Sequence, residues 1–401
     1  MKRIVISGIG VISSIGIGKD AFWDALIKGT SGISTISSFD TSVFSTHKGG
    51  EIKDFKPEQY IDPARVIQAG RASQLAMAAS QLAYTDSRLS SGACAPERFG
   101  LCFGTTMTET RILEELNAAW VKTGAMSIDP VLVPRYPAYV LASNIARMVG
   151  LQGPSYTIPT ACAAGNYAIG YAYDLIRNDE ADMMLAGGAD AFSRLAFIGF
   201  NRLLAVAPDR VQPFDKNRKG MMVAEGAGVV ILESLESALA RHAPIYAEIL
   251  GYGLSCDAHH MTAPEHNGIA RAIENALRES NICPDEVDYF NAHGTGTPAN
   301  DREESFAIKK VFGEYTRKLA VSSTKSMLGH TMGAASAIET IVCCMSLTHD
   351  VIPPTINYET PDPDCDIDCV PNICRKQKVT IALNSSSAFG GNNACLVLRK
   401  Y

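Results

Sequence analysis

The sequence predicts an α/β protein with sheets covered by helices, and three observations carry that reading. Short apolar runs bounded by glycine or charge alternate with helical stretches along the whole chain. Hydrophobic residues fill 46% of the 401 positions and 33 glycines punctuate them, the composition of a compact fold with a sizeable core. Residues 3–14 (Arg-Ile-Val-Ile-Ser-Gly-Ile-Gly-Val-Ile-Ser-Ser) also resemble residues 246–257 (Tyr-Ala-Glu-Ile-Leu-Gly-Tyr-Gly-Leu-Ser-Cys-Asp). Each is an apolar strand broken by Gly-x-Gly that leads into a helical region, so the chain carries the mark of an internal duplication.

The elements follow in order. The run from Arg3 superficially imitates a signal peptide, but Gly and Ser interrupt it and no convincing small-x-small cleavage site follows, so a first strand is expected there. Further strands are expected at 99–104, 181–187, 228–233, 287–292, 319–323 and 394–399. Residues 235–242, closed by Pro244, read as a short helix and as the seam between two halves, 1–241 and 242–401. The Pro/Asp-rich stretch 353–371 reads as a long surface connection. No apolar stretch reaches the roughly 18–20 residues needed to cross a bilayer, so a soluble protein is expected. Eleven cysteines, an odd number scattered through a long chain, point to reduced thiols and a cytoplasmic setting. A net charge of −6 argues against a general nucleic-acid binder.

Four motifs carry chemistry. Cys162 follows the extended run Tyr-Thr-Ile-Pro-Thr-Ala and precedes the small residues Ala163, Ala164 and Gly165, which read as the first turn of a packed helix. A thiol there faces unpaired backbone N–H groups and the positive end of a helix dipole, which favour thiolate. His293 follows the strand at 287–292 and opens the run His-Gly-Thr-Gly-Thr-Pro, where glycines let a substrate approach the backbone and Thr295 and Thr297 offer hydroxyls to a long ligand. Lys325 and His330 share one loop, and Glu339 on the Ala-rich helix beyond is the partner that a buried lysine requires. Phe389-Gly-Gly-Asn-Asn is a glycine-hinged turn before the last strand. The spacing Cys365-x3-Cys369-x4-Cys374 does not describe a zinc site: it is irregular, has no histidine nearby and is rich in acidic residues, so no metal is expected. Cys343 and Cys344 read as core residues of an apolar helix.

Together with Pro213-Phe-Asp-Lys-Asn-Arg-Lys-Gly, Glu225-Gly-Ala-Gly and Asp257-Ala-His-His-Met-Thr-Ala-Pro, these motifs resemble the β-ketoacyl-acyl-carrier-protein synthases over essentially the whole chain. The resemblance implies a thiolase-like fold, five layers αβαβα in two duplicated halves, the first carrying Cys162 and the second His293, Lys325 and His330. It implies decarboxylative Claisen condensation: an acyl chain on Cys162, malonyl-acyl carrier protein as extender, and a 3-oxoacyl product. The backbone N–H groups of Cys162 and Phe389 would form the oxyanion hole. His293 and His330 would stabilise the enolate, Lys325 and Glu339 would organise the site with support from Asp301, and Thr295 and Thr297 would contact the phosphopantetheine arm. The implied partners are an acyl carrier protein and a second subunit, either a copy of this chain or a chain-length-factor-like homologue. No cofactor is implied beyond the phosphopantetheine that carries the substrates. Thiolases themselves fit less well, because Cys395 reads as a strand residue and not as their second catalytic cysteine.

The chain departs from the family pattern where selectivity is set. Ser387 and Ala388 replace the first aromatic and the following glycine of the usual terminal motif, and Leu113 lies in the segment whose counterpart closes the acyl pocket. The basic cluster that receives the carrier protein is thin, with Arg65, Arg71 and Arg202 as candidates and Gln68 and Ala69 beside them. These departures suggest a specialised carrier protein and acyl chain, as in polyketide or polyene assembly, while fatty-acid synthesis stays open as the other pathway. The rival functions are a non-catalytic partner subunit and a thioester acyltransferase or hydrolase without condensation.

Overall fold

A computed structural model describes residues 2–90, 92–124 and 128–401. Ten strands form its sheet path: β1 (Ile4–Ser13), β2 (Phe99–Gly104), β3 (Ser155–Ile158), β4 (Met183–Asp190), β5 (Gly226–Ser234), β6 (Ala247–Cys256), β7 (Tyr289–Asn291), β8 (Ala320–Ser322), β9 (Ile381–Ser387) and β10 (Asn392–Arg399). Eight helices bear on the site: α1 (Arg71–Asp86), α2 (Thr110–Thr123), α3 (Val140–Val149), α4 (Ala164–Arg177), α5 (Arg194–Arg202), α6 (His266–Ser280), α7 (Pro298–Phe312) and α8 (Ala335–His349).

The strand order is β8-β7-β9-β10-β6-β1-β5-β4-β2-β3, with a short strand at Gly16–Ile17 pairing off the path. Reading the order from its centre, each strand of the first half meets a counterpart five numbers later in the second. Pair directions match as well: β1–β5 and β6–β10 are antiparallel, β2–β4 and β7–β9 parallel, β2–β3 and β7–β8 parallel. The two sheets join where β1 and β6 run antiparallel, Ile4 opposite Ile249 and Ile6 opposite Ala247. The duplicated motif therefore lies at the junction.

Its glycines have a packing role. A Cβ on Gly10 would come within 2.0 Å of the Ala79 carbonyl of α1, and one on Gly253 within 2.2 Å of the Ala272 carbonyl of α6. Only a residue without a side chain lets each helix lie so close to its strand. Three apolar clusters mark the layers. One packs α1 and α3 on the outer face of the first sheet, one packs α6 and α7 on the outer face of the second, and one fills the centre around α4 and α8. This is the five-layered thiolase-like arrangement.

The expected strands all form, the one at 99–104 with the expected bounds and the others with shifted ends. The run expected at 181–187 pairs from Met183 to Asp190, because Ala181 and Asp182 belong to the preceding turn. The helix expected over 235–242 ends at Ala240, and His242 has left-handed φ. The stretch 353–371 is not simply a surface connection: Thr355, Cys365, Cys369 and Val370 are buried. Ser323 N–H donates to Thr355 Oγ1, Ile356 N–H donates to Ser326 Oγ, and the Asn357 amide donates to Ser326 O. This stretch clamps the turn that carries Lys325.

Candidate active site

Cys162 sits between β3 and α4, in a short 3-10 turn over Ala161–Ala163. Ala161 has φ 50°, a strained value for a residue with a Cβ, and it turns the chain so that Cys162 faces the second half. The Cys162 carbonyl is held by hydroxyls from both neighbouring elements, Ser336 of α8 at 3.3 Å and Ser386 of β9 at 3.1 Å. The turn is fixed on both sides.

His293 leaves the end of β7, and Glu304 of α7 accepts hydrogen bonds from the N–H groups of His293 at 2.7 Å and Gly294 at 2.8 Å. Asp301, one helical turn earlier on the same face, accepts from Phe214 N–H at 2.8 Å and Gly296 N–H at 3.1 Å. The loop is thus pinned by two buried carboxylates. Thr295 and Thr297 share a 2.9 Å hydrogen bond within it. Lys325 is buried after β8 and forms an ion pair with Glu339 of α8, as the sequence required. Burial pushes the Glu339 carboxyl up to about 7 against the opposing charge of Lys325.

His330 brings the halves together. Its Nε2 lies 3.0 Å from Cys162 Sγ, and the two imidazoles stand perpendicular with centroids 5.4 Å apart. Met332 N–H donates to His330 Nδ1 at 3.2 Å, so the proton of the neutral ring resides on Nε2, the nitrogen facing sulfur. Burial holds both histidines well below the ordinary imidazole range, with Lys325 adding to the effect. Both are neutral N–H donors at pH 7. Sγ of Cys162 and one nitrogen from each histidine lie within 4.8 Å of one another, a spacing a metal could use. The Met332 contact leaves His330 no lone pair on that side, which favours hydrogen-bond donation over coordination.

The thiol itself departs from expectation. Burial pushes Cys162 up to about 12, outweighing Lys325 and the N–H groups of Cys162 and Phe389, all of which act to lower it. The expected preference for thiolate is therefore not met in this structure, because desolvation exceeds the helix-end effect. The backbone N–H groups of Cys162 and Phe389 lie within hydrogen-bonding reach of Sγ. Gly390 and Gly391, with φ 83° and 78°, make the turn that brings Phe389 there.

A cavity of about 300 Å³ opens onto Cys162, His293 and His330 and is walled by Thr295, Thr297, Ser387 and Phe389. Ser387 is buried and its hydroxyl has no partner among the described residues. Phe389 is partly exposed at the mouth beside Phe200, 5.8 Å between centroids.

Two expected site residues lie elsewhere. Leu113 does not line this cavity; it stands on the exposed side of α2, whose buried face is Thr110, Ile112 and Leu116. Arg71 is not a free docking cation, because it pairs with buried Glu225 at 2.8 Å, donates to the Ile52 carbonyl and stacks over Phe55. Arg65 is half-buried, whereas Arg202 is exposed and adjoins Leu203 and Leu204 of the cavity wall. Sequence reasoning missed Glu304, Ser336 and Ser386. Only Glu304 left a signal, since it follows Asp301 by three positions on one helix.

The chain matches the β-ketoacyl synthase N-terminal domain over residues 1–238 and the β-ketoacyl synthase C-terminal domain over 246–359. It is 41% identical to 3-oxoacyl-[acyl-carrier-protein] synthase 2 of Synechocystis sp., covering 100% of this chain and 98% of that one. Among solved structures, the ishigamide ketosynthase/chain length factor superposes with TM-score 0.97 at 46% identity, covering 100% of this chain and 99% of that one. A type II PKS acyl-carrier protein in complex with its ketosynthase bound to the hexaketide gives TM-score 0.93 at 34% identity, with coverage of 100% and 99%. With these matches over the whole chain, and with Cys162 and two neutral histidines gathered at one cavity between duplicated halves, the chain belongs to the β-ketoacyl synthase family.

Proposed function

We propose that this protein elongates an acyl chain held on Cys162 by decarboxylative condensation with malonyl-acyl carrier protein. The observation that carries the reading is His330, neutral, with its Nε2 proton directed at a sulfur 3.0 Å away and His293 beside it. Sγ attacks the incoming acyl thioester, the C–S bond to the carrier breaks, and the thiol proton passes to the departing pantetheine sulfur. The N–H groups of Cys162 and Phe389 hold the oxyanion, worth roughly 3–4 kcal/mol for each good donor. The malonyl thioester then loses CO₂, and the electron pair of the broken bond becomes an enolate whose oxygen accepts from His293 and His330. Its carbon attacks the acyl-Cys162 carbonyl, and the tetrahedral centre collapses to a 3-oxoacyl chain two carbons longer and free Cys162.

Lys325 with Glu339, and Asp301, act by holding the two histidine loops. Thr295 and Thr297 face the cavity where the pantetheine arm would lie. Decarboxylation supplies the driving force, so the reaction as read needs no metal or redox cofactor. The halves are 1–241 and 242–401, a division that the mirrored strand order supports. An acidic carrier protein would dock near Arg202 and Arg65, and a second subunit, identical or chain-length-factor-like, along the open edge of β3. Tyr156 is exposed on that edge and packs edge-on against Tyr171. A specialised polyketide or polyene pathway is favoured by Ser387 and Ala388 and by the likeness to a type II PKS ketosynthase. No described helix is long and apolar enough to cross a membrane.

The test is incubation with acyl- and malonyl-acyl carrier proteins followed by intact mass. We expect acylation of Cys162 and a 3-oxoacyl product, both abolished in Cys162→Ala. Release of free acid alone would assign a hydrolase, and absence of any adduct would assign a non-catalytic partner subunit.

A further inference from the structure

We propose that Asp190 is a positioning residue that sets the tautomer of His330 and ties it to the loop behind the cavity wall. The inference rests on the condensing function proposed above and starts from a second turn like the one at Cys162. Met332, with φ 55°, opens a 3-10 turn over Met332–Ala334 that runs into α8, as Ala161, with φ 50°, opens the turn into α4. Gly333 therefore occupies in the second half the position of Cys162 in the first. The first turn leaves its N–H to sulfur and the reacting carbonyl. The second gives its N–H to Asp190.

Asp190 ends β4, is fully buried and has both oxygens committed. Oδ1 accepts from Thr105 Oγ1 at 2.7 Å, Met107 N–H at 2.7 Å and Thr108 N–H at 3.2 Å. Oδ2 accepts from Thr106 N–H at 2.8 Å and Gly333 N–H at 2.7 Å. One oxygen gathers the loop after β2 and the other bridges that loop to the second turn. No side chain fits at Gly333, where a Cβ would stand 2.7 Å from Thr105 C and 2.8 Å from Asp190 Oδ2. The residue before it, Met332, donates the hydrogen bond that puts the His330 proton on Nε2. Met107 and Met332 meet in one apolar cluster with Met221 and Phe200, which wall the cavity. Displacement of that wall would therefore reach His330 through Asp190.

Asp190→Asn tests this. Its amide oxygen serves the three donors on the Oδ1 side, and its NH₂ then faces Thr106 N–H and Gly333 N–H, which releases the second turn. We expect acyl transfer to Cys162 to persist while malonyl decarboxylation falls about 10-fold, part of the loss seen when a preorganised donor is removed outright. Two-bond ¹H–¹⁵N spectra of the histidines should show His330 as the Nε2–H form in the wild type and as a mixture in the variant. Thr105→Val, which deletes one hydroxyl donor, should show the same changes more weakly and serves if Asp190→Asn does not fold. An unchanged His330 tautomer in the folded variant, or equal loss of both steps, would overturn the proposal. If the wild type failed to decarboxylate malonyl groups, the proposed function would fall, while the tautomer comparison would still decide the role of Asp190.

Discussion

At the scale of single residues, the site is governed by charges kept out of water. Glu304 is fully buried, and burial pushes its carboxyl up to about 7 against the two N–H groups that it accepts. A carboxyl with a raised folded-state pKa binds its proton more tightly folded than unfolded. The wild type therefore loses stability relative to a neutral variant as pH rises from about 4.5 to about 7. We expect the Tm difference between Glu304→Gln and wild type to move in favour of the variant across that window and to level off above it. A difference that stayed flat with pH would mean that folding does not raise the Glu304 carboxyl above its unfolded value. Ser387 makes a second residue-scale prediction. Its buried hydroxyl, without a partner among the described residues, lines the cavity, so Ser387→Phe fills space and removes polarity at once. We expect kcat/KM for long or polar acyl thioesters to fall about 10-fold relative to short saturated ones, since selectivity is a ratio of those constants. A panel of carrier-bound thioesters reads this directly, and an unchanged ratio would place selectivity outside the cavity.

At the scale of elements, the two central helices decide how closely the catalytic halves approach. Gly165 of α4 faces α8 so tightly that a Cβ would lie 2.5 Å from Ala337 N. That contact brings the turn carrying Cys162 against the helix whose Ser336 holds its carbonyl. Gly165→Ala gains intrinsic helix propensity of about 1 kcal/mol, but overpacking of this kind costs about 1–3 kcal/mol. We expect net destabilisation in urea and slower acylation of Cys162, because the helices must part. A stabilised variant with unchanged acylation rate would show that the interface yields without moving the turn.

At the scale of the whole molecule, the proposed docking surface for the carrier protein is distinct from the ion pairs that hold the fold. Arg202 is exposed beside the cavity wall, whereas Arg71 is bound to buried Glu225. Arg202→Glu should raise KM for carrier-bound acyl groups with little change for a short pantetheine thioester, and the effect should shrink at high salt. Arg71→Ala should instead lower stability by about 1–3 kcal/mol, because buried Glu225 loses its nearest cation and keeps only the Ile52 and Phe192 N–H groups and Arg111 at 3.9 Å. Denaturant midpoints and KM values for both substrates separate the two roles. Equal effects on both substrates from Arg202→Glu would remove it from the docking surface.

The class of fold, its duplication and the candidate residues of the site were all legible in the amino-acid sequence. Apolar periodicity marks each strand regardless of partner, and the Gly-x-Gly pair is required wherever a helix must touch a strand. Cys162, His293, Lys325 and His330 were legible because their motifs bind chemistry to local backbone shape, and the Lys325–Glu339 pair because a buried cation demands a partner. Tertiary structure alone decided the rest. Whether Cys162 prefers thiolate depends on how much water its neighbours exclude, and residues far along the chain set that. Arg71 and Leu113 were misplaced because charge and hydrophobicity do not reveal which face a helix buries. Asp190, Ser336 and Ser386 carry no motif at all, since each acts on backbone groups brought to it from other elements, and only the assembled halves create those contacts.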